Sequence, residues 1–356
     1  MRNNSLDILK GSAIIIVVAL HASIPFGWLH LFQMPVFFTA AGFCFKSSAS
    51  ESFSSMKTYI WKRIRGLYFP CLIFSVIINI LHNPLVALNL VGGSPYSVKQ
   101  LIIQIIKSIC FSGGGDLSGT IWFLRTMFIA SVFYLLVDKI TRKSKRAVMY
   151  RWILCALALG IGWAADHFKI PGHEYFNAFT VLFMYEIGRT VRQFDIKIFY
   201  PGHEKPYKAP VYLITAIVSG VALWGLDMVV TYRLNFNIIP NPFGLVAGSV
   251  IGWLFLVAVS NIIVMTPLKN ALSYLGKHTL IVMLLHFSCF KIVTASQILI
   301  YNLDRKMLSS FPCLYTENCW WIAYTVVGVM IPVLIYMAYH KISLALEKNR
   351  TNKLSD

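Results

Sequence analysis

Lys10 and His21 stand eleven residues apart in the run Leu6-Asp7-Ile8-Leu9-Lys10-Gly11-Ser12-Ala13-Ile14-Ile15-Ile16-Val17-Val18-Ala19-Leu20-His21. At about 100° per residue, eleven steps make almost a whole number of turns. In a helix the two side chains therefore share one face, roughly 16 Å apart along the axis. Asp7 falls about 40° from the same line. A neutral imidazole can take the proton of a hydroxyl nucleophile. Burying one in an apolar segment is costly, so His21 is read first as a proton acceptor. The alternative is a packing histidine bonded to a backbone carbonyl. Lys10 and Asp7 stand at the mouth of the segment, where a cation fixes topology or receives the phosphates of a long anionic cofactor whose reactive end reaches the histidine.

Further candidates follow along the chain. The run Trp61-Lys62-Arg63-Ile64-Arg65-Gly66-Leu67-Tyr68-Phe69-Pro70 sets three cations before a long apolar stretch. They act either as topology determinants or as a phosphate clamp, since guanidinium forks bind phosphate oxygens in pairs. Arg125, in Trp122-Phe123-Leu124-Arg125, lies near the outer end of another apolar stretch. It either reaches lipid headgroups or steadies negative charge developing in a transfer reaction. His286 is a second intramembrane histidine, expected to support the first. Glu186 and Arg189, at i and i+3, read as a structural pair. Asp116 and Asp227 have no evident partner. The chain lacks a glycine-rich nucleotide loop, a Gly-x-Ser-x-Gly elbow and a metal-ligand cluster, which argues against ATP-driven transport, serine hydrolysis and a metal.

The elements that must position these residues are membrane helices. Of 356 residues 57% are hydrophobic and 13% charged, and mean hydropathy is +0.66. The pattern predicts an all-α, polytopic membrane protein. Ten spans are drafted at roughly 11–29, 31–46, 67–90, 119–138, 152–168, 174–190, 209–229, 244–264, 278–300 and 319–341. The first apolar run has no small-residue cleavage site and is expected to be a retained helix. The stretch 100–112, with Gln104 and Lys107 and ending in Gly113-Gly114-Gly115, is expected to be interfacial or re-entrant. Residues 1–341 then form one membrane domain, and 342–356 a short, partly disordered cytoplasmic tail.

With both termini cytoplasmic, 24 of the 32 Lys and Arg fall in cytoplasmic segments, from Arg2 to Lys353. That alternation accounts for the formal charge of +18 as positive-inside topology, and argues against nucleic acid as partner. Seven cysteines are scattered without metal-ligand spacing. Cys313 and Cys319 share a late loop and are read as free thiols, with an extracytoplasmic disulfide as the alternative.

At these residues the sequence resembles the bacterial acyltransferase type 3 family, multi-pass membrane proteins that O-acylate surface glycans and lipids. Leu6 to Gly11 followed by an aliphatic run to His21 matches the family's cation-x10-His signature. Met34-Pro35-Val36-Phe37-Phe38 with Gly42-Phe43, Arg63 with Pro70, Trp122 to Arg125, and Gly276-Lys277 through His286 match its later blocks in order. Three positions depart from the common pattern: Gln33 for His, Ala41 for Ser, and Gly66 for a second Arg.

The resemblance implies a cytoplasmic acyl-CoA donor, usually acetyl-CoA, and transfer to a hydroxyl of a cell-envelope polysaccharide or lipid-linked glycan at the bacterial inner membrane. On this reading His21 is the general base, with Arg125 steadying the oxyanion. Lys10, Arg63, Arg65 and Trp122 hold the donor, and Asp7 and His286 support them. The rival is a transporter or flippase with His21 and His286 as a proton relay.

Overall fold

A computed structural model of the chain describes residues 4–112 and 115–352, with side chains to residue 344. Arg2, Lys353 and two of the three consecutive glycines, Gly113 and Gly114, lie outside the described residues. Helix α1 is Asn4–His21 and α2 is Pro35–Cys44. The long helix α3, Phe53–Ile80, contains a π-helical turn at Ile64–Tyr68. Then come α4, Val98–Ile109; α5, Ile121–Thr141; α6, Ala147–His167; and α7, Leu182–Gln193. The chain continues through α8, Ala209–Asp227; α9, Pro242–Ile263; α10, Lys269–Lys277; α11, Thr279–Tyr301; and α12, Trp320–Asn352.

Among the described residues, eight helices are long and apolar enough to cross a membrane. The fourth, fifth and seventh to tenth drafted spans correspond to such helices, with ends displaced by a few residues except at the C-terminal end of the last. The second and sixth do not. They fold as α2, ten residues, and α7, twelve residues, about 15 and 18 Å long at the helical rise. A bilayer core is about 30 Å thick. Both helices are largely buried and pack closely on one another, and broken helices are tolerated where protein shields their ends from lipid. Small residues permit that approach: a Cβ at Gly42 would overlap the Tyr185 carbonyl, and one at Gly188 the Thr39 carbonyl.

Helix α1 is the hub, touching α2, α9, α10, α11 and α12. It begins at Asn4, seven residues before the drafted span, and ends at His21 where Ser23 takes φ +62°. Lys10 therefore lies nearly two turns inside the helix. Its charge is met by Asp7 at 2.8 Å. The crossing with α10 is close, since a Cβ at Gly11 would overlap the Leu272 carbonyl and one at Gly276 the Asp7 carbonyl.

Helix α3 likewise starts before its drafted span and carries the Trp61–Pro70 run inside it. Segment 100–112 becomes the amphipathic α4, opened by a Ser97–Gln100 capping box. Its Ile102, Ile103, Ile106 and Ile109 are exposed, as an interfacial helix requires. The expected tail continues α12 as helix to Asn352, in keeping with the helix formers of Leu344-Ala345-Leu346-Glu347-Lys348.

The expected Glu186–Arg189 pair is corrected. Glu186 accepts from Arg151 of α6 at 3.1 Å and from the Tyr134 hydroxyl of α5, while Arg189 pairs with Asp138 of α5 at 2.6 Å. Neighbours on α7, the two residues reach different helices and pin it to both. Asp227, without an evident partner in the sequence, stands 3.5 Å from His30.

Candidate active site

Two cavities open near opposite ends of the Lys10–His21 face of α1. One, about 720 Å³, is lined by His21, His30, Gln33, Thr120 and Trp122 together with the 231–238 strap. The other, about 1200 Å³, is lined by the cations Lys10, Lys46, Arg192 and Lys205, by the carboxylates Asp7, Asp195 and Glu204, and by His203, so cations outnumber carboxylates by one. A third, about 260 Å³, lies between them and is lined by Lys10, Arg63, Gly66, Phe123 and Met283 among others. It shares Lys10 and Cys44 with the basic cavity, and Phe123 and Met283 with the His21 cavity. The helical phase that puts Lys10 and His21 on one face thus runs from a cationic chamber past a mostly apolar one to an imidazole.

His21 is half-buried at the C-terminal end of α1. Its ring stacks on His286 of α11, centroids 5.3 Å apart, and Phe287 meets it edge-on at 4.8 Å. Nδ1 of His286 lies 2.9 Å from the Val282 carbonyl. A carbonyl only accepts, so Nδ1 carries the proton and Nε2 is an acceptor, buried and without a hydrogen-bond partner. Aromatic packing therefore orients the His21 ring, while its nitrogens make no hydrogen bond with the described residues. A base in this position is held by its faces and free at its edge, as proton transfer requires.

Arg63 lines the middle cavity, and its Nη2 donates to the Tyr59 hydroxyl at 3.2 Å. It precedes the π-helical turn of α3, a distortion frequent at functional sites. Gly66 faces the same cavity. Arg65 is turned the other way, exposed and stacked 5.4 Å over Trp61. The expectation that Arg65 holds the donor is therefore not supported by its position; 66, not 65, is the register that faces inward.

Arg125 also departs from expectation. It is buried, 4.4 Å over the Tyr175 ring, and lines a separate cavity of about 420 Å³ with Glu174 and Asp116. Trp122, one turn earlier on α5, borders both that cavity and the His21 cavity and so separates the two. Arg125 is not brought to His21, which removes the geometric basis for an oxyanion role. His30 and Gln33 lie three residues apart between α1 and α2, and Arg233 joins them from a segment about 200 residues later; the chain marks only Gln33, by its departure from the family pattern.

An all-helical bundle with a cation-lined chamber and a half-buried imidazole along one central helix defines a multi-pass membrane protein with its cavities among the helices. Residues 3–337 match the acyltransferase domain family, the type 3 acyltransferases, and the chain belongs to that family. No curated protein and no solved structure matches it. The protein is thus a membrane acyltransferase, acting on an acyl donor and an acceptor substrate.

Proposed function

We propose that this acyltransferase moves an acetyl group from cytoplasmic acetyl-CoA to a hydroxyl of a cell-envelope polysaccharide or lipid-linked glycan, in a bacterial inner membrane with both termini cytoplasmic. The observation that carries this reading is the alignment of Lys10 and His21 on one helix face, each at a cavity, with a third cavity sharing walls with both. Lys10, Lys46, Arg192 and Lys205 supply cations for the nucleotide phosphates. The narrow middle cavity, with apolar Phe37, Leu67 and Leu280, suits the pantetheine arm. Arg63 stands beside it. A thioester delivered past Phe123 and Met283 arrives at His21.

The acceptor hydroxyl enters the His21 cavity and attacks the thioester carbon. His21 takes the hydroxyl proton as the C–O bond forms. The C–S bond then breaks, and the departing CoA sulfur receives that proton from the imidazolium. The products are the O-acetyl ester and free CoA, and His21 is returned neutral. The thioester supplies the driving force, so no further reactant is needed.

The test is CoA release by protein purified into nanodiscs, followed with a thiol reagent, with and without candidate glycans. Release by wild type that is lost in His21→Ala supports the reading. Absence of any His21-dependent release favours the transporter alternative.

A further inference from the structure

The mouth of the His21 cavity is a strap between α8 and α9, and it is fastened along its length. Arg233 and Ile238 exchange backbone hydrogen bonds of 2.9 and 3.0 Å. The Tyr232 hydroxyl donates to the Leu31 carbonyl. Asn237, at φ +51°, donates to the Gly162 carbonyl and accepts from the Thr180 hydroxyl, each at 2.8 Å. The Ile239 N–H donates to Asp166 at 2.6 Å.

So held, the strap contributes Arg233 and Asn235 to the cavity wall. Arg233 is exposed, and its guanidinium has no ion pair or hydrogen bond among the described residues. Elsewhere in the wall, Oε1 of Gln33 is buried and unpartnered. Nδ1 of His30 donates to the Gly27 carbonyl at 2.5 Å and lies 3.5 Å from the Asp227 carboxylate; in the neutral ring this leaves Nε2 as an acceptor. The lining holds one permanent cation and no carboxylate. A fixed backbone with unsatisfied side chains is the arrangement of a recognition surface.

Resting on the acyltransfer reading above, we propose that this strap is the acceptor subsite. Arg233 selects a glycan carrying a carboxylate or phosphate near the hydroxyl that is acylated, while Gln33 and His30 accept hydrogen bonds from its neighbouring hydroxyls. A guanidinium fork pairs with either anion through two parallel hydrogen bonds.

Binding is measured by intrinsic fluorescence, with Trp122 in the cavity wall, for three oligosaccharides of equal length: a glucuronate oligomer, a glucan bearing phosphate groups, and a neutral glucan. At least one charged oligomer is expected to bind more tightly than the neutral one. Arg233→Gln weakens that binding about tenfold or more, the loss of a charge-assisted hydrogen bond, and Arg233→Lys weakens it less. The arm that responds identifies the anion. Neutral glucan binding as tightly as both charged oligomers, charged binding that survives Arg233→Gln, or no binding by any oligomer overturns the proposal. Acetyl-CoA titrated into the same wild-type preparation tests the donor reading by itself. Donor binding without charge-selective glycan binding sinks the acceptor proposal alone, and absence of donor binding sinks the acyltransfer reading.

Discussion

The rings of His21 and His286 stack with their planes 23° apart, tying the end of α1 to the interior of α11. One imidazole lines the cavity, and the other is buried with its Nδ1 committed to the Val282 carbonyl. On the proposed mechanism the two have separable roles: His21 exchanges the proton and His286 fixes the plane in which His21 can do so. His21→Ala is expected to lower kcat by about 100- to 10,000-fold, the usual contribution of a general base. His286→Gln lowers it by up to about a hundredfold through misplacement. Neither change moves the dissociation constant of acetyl-CoA, as a donor titration beside the kinetics will show. Equal losses from both substitutions would falsify this division of labour.

Lys10 and Asp7 form a 2.8 Å pair in which Asp7 is buried and Lys10 reaches the basic cavity. Lys10→Met is expected to raise the KM for acyl-CoA more than it lowers kcat, because on the proposed reading the cation meets the donor far from the reacting atoms. It also removes the cation 2.8 Å from the buried Asp7 carboxylate, and breaking a buried pair costs up to about 3–5 kcal/mol. Asp7→Asn combined with Lys10→Met should recover most of the lost melting temperature and none of the KM. Recovery of both would mean that Lys10 acts only through folding.

Gly66 faces the middle cavity, and a Cβ at this position would have nothing within 4 Å; the wider family often carries arginine there. Gly66→Arg is expected to place a second guanidinium beside Arg63 and to lower the KM for acetyl-CoA several-fold, about 1 kcal/mol for one added charge-assisted contact. Arg65→Gln, on the exposed side of the turn, leaves that KM unchanged. Steady-state kinetics of the two variants decide whether the inward register has been assigned correctly.

The α2–α7 crossing depends on two absent side chains. Gly42→Ala forces a methyl group into the Tyr185 carbonyl, and Gly188→Ala forces one into the Thr39 carbonyl. Overpacking of this kind costs about 1–3 kcal/mol, and more where backbone is the obstacle. Each variant should show a lower melting temperature in detergent, whereas Gly160→Ala, with open space around it, should not.

Cys313 and Cys319 are free thiols in the loop between α11 and α12. Cys319 is exposed; Cys313 is half-buried, and its Sγ donates to the His21 carbonyl at 3.6 Å. Burial pushes the Cys313 thiol up to about 12, against an opposing pull from Lys291. A raised thiol value means the protonated form persists, so at pH 8 only about one molecule in 10,000 carries the reactive thiolate. In single-cysteine variants, an impermeant maleimide added from outside should label Cys319 quickly and Cys313 slowly. The Cys313 rate should rise about tenfold per pH unit over pH 8–10, as its thiolate fraction does. Labelling of Cys319 only from the cytosolic side would reverse the proposed orientation.

Much of this arrangement is legible along the chain, because helical phase and hydropathy are local properties. Eleven steps from Lys10 to His21 set a common face whatever the rest of the bundle does, and apolar length alone marks the long helices. The amphipathic pattern of residues 100–112 likewise needs no partner to be recognised. What the chain could not show is where a side chain goes once two helices compete for it. Arg125 and Trp122 lie one turn apart, yet only packing decides that Trp122 borders the His21 cavity while Arg125 turns to Tyr175.

The same limit explains the ion pairs. Glu186 and Arg189 satisfy i, i+3 spacing, but Arg151 and Asp138 offer each of them a buried partner on another helix, and a desolvated charge is held where hydrogen bonds are most complete. The shortness of α2 and α7 also escapes a hydropathy reading, since each buries its apolar residues against protein and need not match the thickness of lipid. Sequence alone therefore determined the membrane class, the central helix and the spacing of Lys10 and His21 on it. The tertiary structure decided which chambers those groups face, because that depends on contacts between segments far apart in the chain.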